Sequence, residues 1–250
     1  MAGDAEQTSD LGPEALRLDQ AFEHQGLQAA VRDDIWRSSR SIAGHGPLAA
    51  DGVASATGVA IGYVQSGKTT NFTALIGHAA DTGYRVVIAL LGSTNLLLEQ
   101  NERRLLSALG LEQRWDYRWV HFSNPTPSSL SPSEFAHYLA RGRLVLITLL
   151  KHHGRIAEAS RVVEGVAVGA VATLVVDDEA DQVSLNSRVK EGAESATYRA
   201  IKGLRSGLGP SARPSCRRRW LTRRGRNCAA DLPFRRWPSP AASVPVCGHA

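Results

Sequence analysis

Two glycines with four residues between them, followed at once by a lysine and a threonine, stand in Gly62-Tyr63-Val64-Gln65-Ser66-Gly67-Lys68-Thr69. Glycines at that spacing let backbone N–H groups close around phosphate oxygens, and a helix opening at the end of the loop adds its partial positive charge. Lys68 would reach the β- and γ-phosphates of a nucleoside triphosphate, and Thr69 would set its hydroxyl on Mg²⁺. Gly62, Gln65, Ser66, Gly67, Lys68, Thr69 and Thr70 are therefore the expected contacts to ATP, with Mg²⁺ beside it. A glycine turn that merely opens a helix is the bland alternative.

A second motif argues against that alternative. Leu174-Val175-Val176-Asp177-Asp178-Glu179-Ala180-Asp181 is an apolar run that ends in four acids within five positions. A carboxylate just past a buried strand lies at the carboxyl edge of a sheet, where such loops gather. One aspartate there can hold Mg²⁺, and the following glutamate can polarise the water that attacks the γ-phosphate. The register favours Asp178 for the metal and Glu179 as the base, with Asp177 close enough to compete. Lys68 and Glu179 are the expected catalytic residues; Thr69 and Asp178 the expected metal ligands.

The elements that must position these residues can be read from periodicity. Val59-Ala60-Ile61 is a short buried strand ahead of the loop, and Thr69 to Ala80 a helix stopped near Gly83. Tyr84–Leu91, Trp115–Phe122, Leu144–Leu149 and Ala172–Val176 read as strands. Thr94–Leu109 reads as a helix closed by Gly110, and Lys151–Glu164 as another. Ser131-Pro132-Ser133-Glu134 spells a capping box. Apolar strands alternating with helices predict an α/β chain: a mostly parallel sheet covered on both faces. Upstream, Pro13 to Arg40 carries apolar residues at helical spacing, and Ser39 to Asp51 reads as a linker. Residues 1–55 are expected to be a helical appendage, residues 56–208 the nucleotide-binding domain.

Residues 209–250 differ from the rest. Pro210 to Ala250 holds nine Arg, no Lys and one acid, and six of the eleven prolines. Without it the chain carries 20 basic and 23 acidic residues, so the overall charge of +5 comes from this segment alone. It shows no apolar period and is expected to be disordered. Cys216, Cys228 and Cys247 also fall here, without a Cys-x-x-Cys pair that would suggest zinc. Its Arg residues with Trp220 and Trp237 could bind polyanions nonspecifically. His78, His152 and His153 have no partners in sequence that lift them above surface or packing roles. No stretch approaches the ~18 apolar residues of a membrane span, and the acidic start is unlike a secretory signal. A cytoplasmic protein is expected.

Asp178-Glu179-Ala180-Asp181 resembles, in spelling and position, the DEAD motif of superfamily-two helicases. Gly92 to Gln100 resembles the segment that touches the nucleic-acid backbone in those enzymes, and Thr148-Leu149-Leu150-Lys151 stands where a second such contact is usual. Closer still, Val64 to Phe72 and Asp177-Asp178-Glu179-Ala180-Asp181-Gln182-Val183-Ser184-Leu185-Asn186 resemble the Z-one domain family, from about Gly58 to Leu208. That family carries an endonuclease label and is found in bacterial restriction and phage-defence loci. The resemblance implies a three-layer RecA-like P-loop domain, a nucleic-acid partner with DNA the expected form, and partner subunits of a defence system. It does not bring an acid cluster with a lysine fit for nuclease chemistry.

In that family the segment after Tyr198-Arg199-Ala200-Ile201 should lead to a strand with a Thr-Ala-Thr-like coupling motif, then a second domain with arginine fingers. Here Gly207-Leu208-Gly209-Pro210 opens the Arg/Pro segment. The expectation is that residues after about Leu208 are read out of frame or are otherwise foreign to the fold. Three functions follow: a helicase-like ATPase module, a nucleotide-binding fragment with weak hydrolysis, or, least favoured, a P-loop kinase for a small molecule.

Overall fold

In a computed structural model of the chain, the residues described are 11–44, 55–62, 68–114, 116–164, 171–178, 180, 184, 194–208, 217–224 and 234–236; within these, 44, 55–62, 68, 113, 207, 217–224 and 234–236 are described by backbone alone. Seven strands are described, and every pairing among them is parallel. In chain order they are β1 (Ser55–Gly62), β2 (Val86–Leu90), β3 (Trp119–Ser123), β4 (Leu144–Leu149), β5 (Thr173–Asp177), β6 (Arg217–Arg224) and β7 (Phe234–Arg236). Across the sheet they run β3-β4-β2-β5-β6-β1-β7.

Alternation of side chains along the strands builds two cores. Val87, Ala89, Leu144, Leu146, Leu174 and Val176 face one side, where Phe72, Leu75, Ile76, Leu98 and Leu105 meet them. Those residues come from helices α3 (Lys68–Asp81) and α4 (Asn95–Ala108). Val86, Ile88, Leu90, Val145, Ile147 and Val175 face the other side, packed on Phe135, Ile156, Val162, Ile201 and Leu204. These belong to α5 (Pro132–Ala140), α6 (His153–Glu164) and α7 (Ala196–Gly207). Three layers around a parallel sheet are what apolar strands alternating with helices require, and the arrangement is RecA-like, as expected.

The N-terminal residues form two helices, α1 (Pro13–His24) and α2 (Ala29–Gly44), the second running into the stretch expected to be a linker. Both add to the core on the α3 side through Leu18, Phe22, Ile35 and Trp36. Asp81, the last residue of α3, accepts hydrogen bonds from the backbone N–H groups of Glu14 (3.0 Å) and Ala15 (2.8 Å), the orphan donors of the first turn of α1. Gly12 permits this approach, since a Cβ there would lie 2.4 Å from Asp81 Cγ. The buried Glu14 carboxylate receives Arg114 through both guanidinium nitrogens (2.6 and 2.8 Å), Arg118 (3.0 Å) and the Trp119 indole N–H (3.0 Å). Burial alone would raise the Glu14 carboxyl; the hydrogen bonds from Arg114 and Trp119 and the nearby guanidinium charges outweigh it and hold the group below its ordinary value.

Several boundaries differ from expectation; β1 begins four residues early, at Ser55, β2 is shorter at both ends, and four more have a clear physical reason or consequence. β3 begins at Trp119 rather than Trp115, because Arg114, Asp116 and Arg118 are drawn into the Glu14 cluster and Tyr117 takes a positive φ of 50°. α6 begins at His153, since Lys151 and His152 turn the chain after β4. β5 reaches Asp177, one residue further than its apolar run suggested. The fourth lies in residues 209–250, expected to be structureless: β6 and β7 belong to the sheet, β6 between β5 and β1. The slot between two parallel strands presents two rows of unpaired N–H and C=O groups, and an extended segment of any composition can pair with them.

Candidate functional site

β1 ends at Gly62 and α3 begins at Lys68, so the phosphate-loop motif spans a strand exit and a helix start on one edge of the sheet. Tyr63 to Gly67, including Gln65, Ser66 and Gly67, lie outside the described residues, and Lys68 is placed by its backbone. Thr69 and Thr70, in the first turn of α3, are half-buried. They line a cavity of about 410 Å³ with Phe22 and Gln25 from the end of α1 and Arg103 and Arg104 from α4. Sequence reasoning missed these last four residues, which lie 33 or more positions from the loop and become its neighbours only through helix packing.

β5 delivers the acidic motif to the same edge. Parallel pairing with one intervening strand, β6, separates β5 from β1. Two strand spacings amount to about 10 Å, a gap that can take a phosphate chain and a hydrated cation.

The two adjacent aspartates differ in burial. Thr173, Val175 and Asp177 fall on the α6–α7 side, and Leu174 and Val176 on the α3 side. Asp177 is fully buried, and its Oδ1 is 3.2 Å from Lys151 Nζ and accepts a hydrogen bond of 2.9 Å from Ser184. It is thereby tied to Lys151, which follows β4, and to Ser184. Asp178 follows in a turn just past β5; its N–H donates to Leu90 O (3.1 Å) and its side chain is partly exposed. Burial sets the two aspartates apart, Asp177 enclosed and Asp178 partly exposed. Glu179 and Asp181 lie outside the described residues, as do Cys216, Cys228 and Cys247.

The two segments likened to nucleic-acid contacts behave differently. Gly92 takes a φ of +67°, with a Cβ there only 2.8 Å from the backbone of Leu98, so glycine makes the tight passage from β2 into α4. Thr94 caps α4 through the Leu97 N–H (3.3 Å), and Leu96 is 64% exposed on its first turn. In contrast, Thr148 and Lys151 are turned inward. Thr148 donates to the Glu102 carboxylate and lies 2.8 Å from His121 Nε2, while Ser123 donates to the same carboxylate (2.6 Å). Burial lowers the His121 pKa, and the Glu102 charge opposes that only in part. In this conformation neither Thr148 nor Lys151 is available to touch a phosphate backbone.

Among the described residues no helix is long and apolar enough to cross a membrane. No protein-family model matches the chain, and no curated protein does. Thirty-two chains of solved structures match. One is a prototypical ATPase from the type III secretion system of pathogenic bacteria, 11% identical with a TM-score of 0.35. The match covers 70% of this chain and 45% of that ATPase, so the chain spans less than half of its length.

Proposed function

We propose that the chain is an ATP-Mg²⁺-binding module of the superfamily-two, Z-one-like kind. The observation that carries this reading is the placement of the loop motif after β1 and the acidic motif after β5 on one sheet edge, one strand apart. In this reading the loop amides from Gln65 to Gly67 and the start of α3 cradle the phosphates, and Lys68 neutralises the terminal charge. Thr69 and Asp178 hold Mg²⁺, which supplies Lewis-acid stabilisation of the phosphate oxygens. Glu179 orients the attacking water. Nucleic acid, DNA foremost, and subunits of a defence system are the proposed partners.

A second reading, binding with little turnover, is favoured by β6. The strand between β5 and β1 is where coupling of hydrolysis to movement is expected, and here it reads Arg-Arg-Arg-Trp-Leu-Thr-Arg-Arg. This sequence has no Thr-Ala-Thr-like motif; β6 pairs within the sheet, but its composition supports the proposal that residues after about Leu208 are read out of frame. The nucleotide sequence downstream of codon 208 tests that proposal; an intact frame with no coupling motif in a neighbouring one would sink it.

The function itself is tested by titrating the protein with a fluorescent ATP analogue. Lys68→Ala removes a charge-assisted contact of about 1.5–3 kcal/mol, so binding should weaken roughly 10- to 100-fold. Unchanged binding would refute the site. Slow hydrolysis at best is expected from the purified chain, and rapid DNA-stimulated turnover would overturn the second reading in favour of a working motor.

A further inference from the structure

We propose that Lys151 is a positioning residue for the acidic motif, acting through Asp177 on the adjacent Asp178; this rests on the ATP-Mg²⁺ reading above. Lys151 leaves β4 with its side chain 2% exposed and its Nζ 3.2 Å from the fully buried Asp177 carboxylate. Its backbone N–H donates to Gly92 O (3.0 Å), beyond the end of β2. Asp178 N–H reaches Leu90 O in the same strand (3.1 Å), and Leu91 N–H reaches Leu149 O at the end of β4 (2.8 Å). The exits of β2, β4 and β5 are thus laced together at the point where the chain passes into Asp178 and Glu179. Ser184 closes the loop from its far side, donating to the same Asp177 oxygen that faces Lys151.

Stability alone is a poor reason for this pair. Removing two charges from water costs several times what an exposed pair gains, and well-packed apolar residues in their place are often neutral or better. What the pair does supply is a fixed direction. Asp177 falls on the α6–α7 side by the alternation of β5, and Asp178 follows it directly with its backbone N–H on Leu90 O, so anchoring Asp177 fixes the chain from which Asp178 departs. If Asp177 could swing, the carboxylate of Asp178 would lose its preset angle. Outer partners that orient a metal ligand typically govern metal affinity by 10- to 100-fold. Lys151 touches neither nucleotide nor metal in this account.

The test is the ratio of two dissociation constants for a fluorescent ATP analogue, one in EDTA and one in excess Mg²⁺, measured on the full chain. Wild type should bind more tightly with Mg²⁺. Lys151→Met should bind as wild type in EDTA, within about twofold, and lose about tenfold of the Mg²⁺ increment. Lys151→Arg should recover most of it. Ser184→Ala removes one hydrogen bond to Asp177 without stranding a charge, so it stays informative if Lys151→Met fails to fold, and should lose about two- to tenfold. A wild-type Mg²⁺ ratio in the folded variants would overturn the inference, and so would equal weakening in EDTA and in Mg²⁺, which signals general loosening. If wild type shows no Mg²⁺ increment, or Lys68→Ala binds ATP as wild type does, it is the ATP-Mg²⁺ reading that fails, and this inference goes with it.

Discussion

β5 and β6 are neighbours in one sheet, paired from Thr173↔Arg217 to Asp177↔Leu221, yet they are built from opposite materials. On one side of that boundary, β4, β2 and β5 are buried throughout and almost wholly apolar, as strands covered on both faces should be. On the other, β6 carries five arginines in eight residues at a position just as central. Backbone pairing places no demand on side chains, so it can occur on both sides; layered packing does. The proposed nucleotide site spans this boundary. Its acidic motif follows β5, part of a well-packed block tied by Lys151 and Asp177, while its loop motif follows β1, beyond β6.

The largest effects should come from the block's own anchors. Glu14→Gln takes from the buried Arg114 the carboxylate it grips with both terminal nitrogens, leaving Asp116 as its remaining charge partner, and should cost about 3 kcal/mol in chemical denaturation. Acid probes the same cluster. Glu14 lies below its ordinary value of 4.5, and hydrogen bonds from Arg114, against a smaller burial cost, bring Asp116 from 3.8 to about 2. A depressed folded pKa contributes stability that is present above the unfolded value and lost as pH falls through the folded one. Melting temperature should therefore hold above about pH 4.5 and drop toward pH 2, and in Glu14→Gln that drop should be shallower.

Ile147→Ala, in the middle of β4, should cost about 2–5 kcal/mol through the cavity it leaves. The matched change across the boundary is Arg219→Leu, at a sheet position between Thr57 and Val175. It should leave stability within about 1 kcal/mol of wild type or raise it. A loss as large as that of Ile147→Ala would break the comparison, because it would mean the arginines of β6 contribute packing of their own. A clear gain would sharpen it.

Much of the layered fold was legible because short apolar runs, Gly83, Gly110 and the Ser131 capping box report local physics that tertiary packing did not overrule. The capping box is present with both of its hydrogen bonds. The start of β3 was not legible, since it is set by Arg114 and Arg118 reaching a glutamate about a hundred residues away. Nor was β6, because an arginine-rich segment gives no strand period to read. In the site, spacing alone could propose Lys68, Thr69 and Asp178. It could not show that Asp177 is buried against Lys151 while Asp178 is partly exposed, which depends on where β5 ends and on a lysine that follows β4. The signal for Lys151 was present all the same: a lone cation directly after a buried apolar strand, where a buried partner has to be found.

The most direct measurement is the Mg²⁺ increment in ATP binding for Asp178→Asn. This variant is expected to keep the affinity of wild type in EDTA and to lose the tightening that Mg²⁺ brings. An undiminished Mg²⁺ increment would contradict it, and would move the metal away from the carboxyl end of β5.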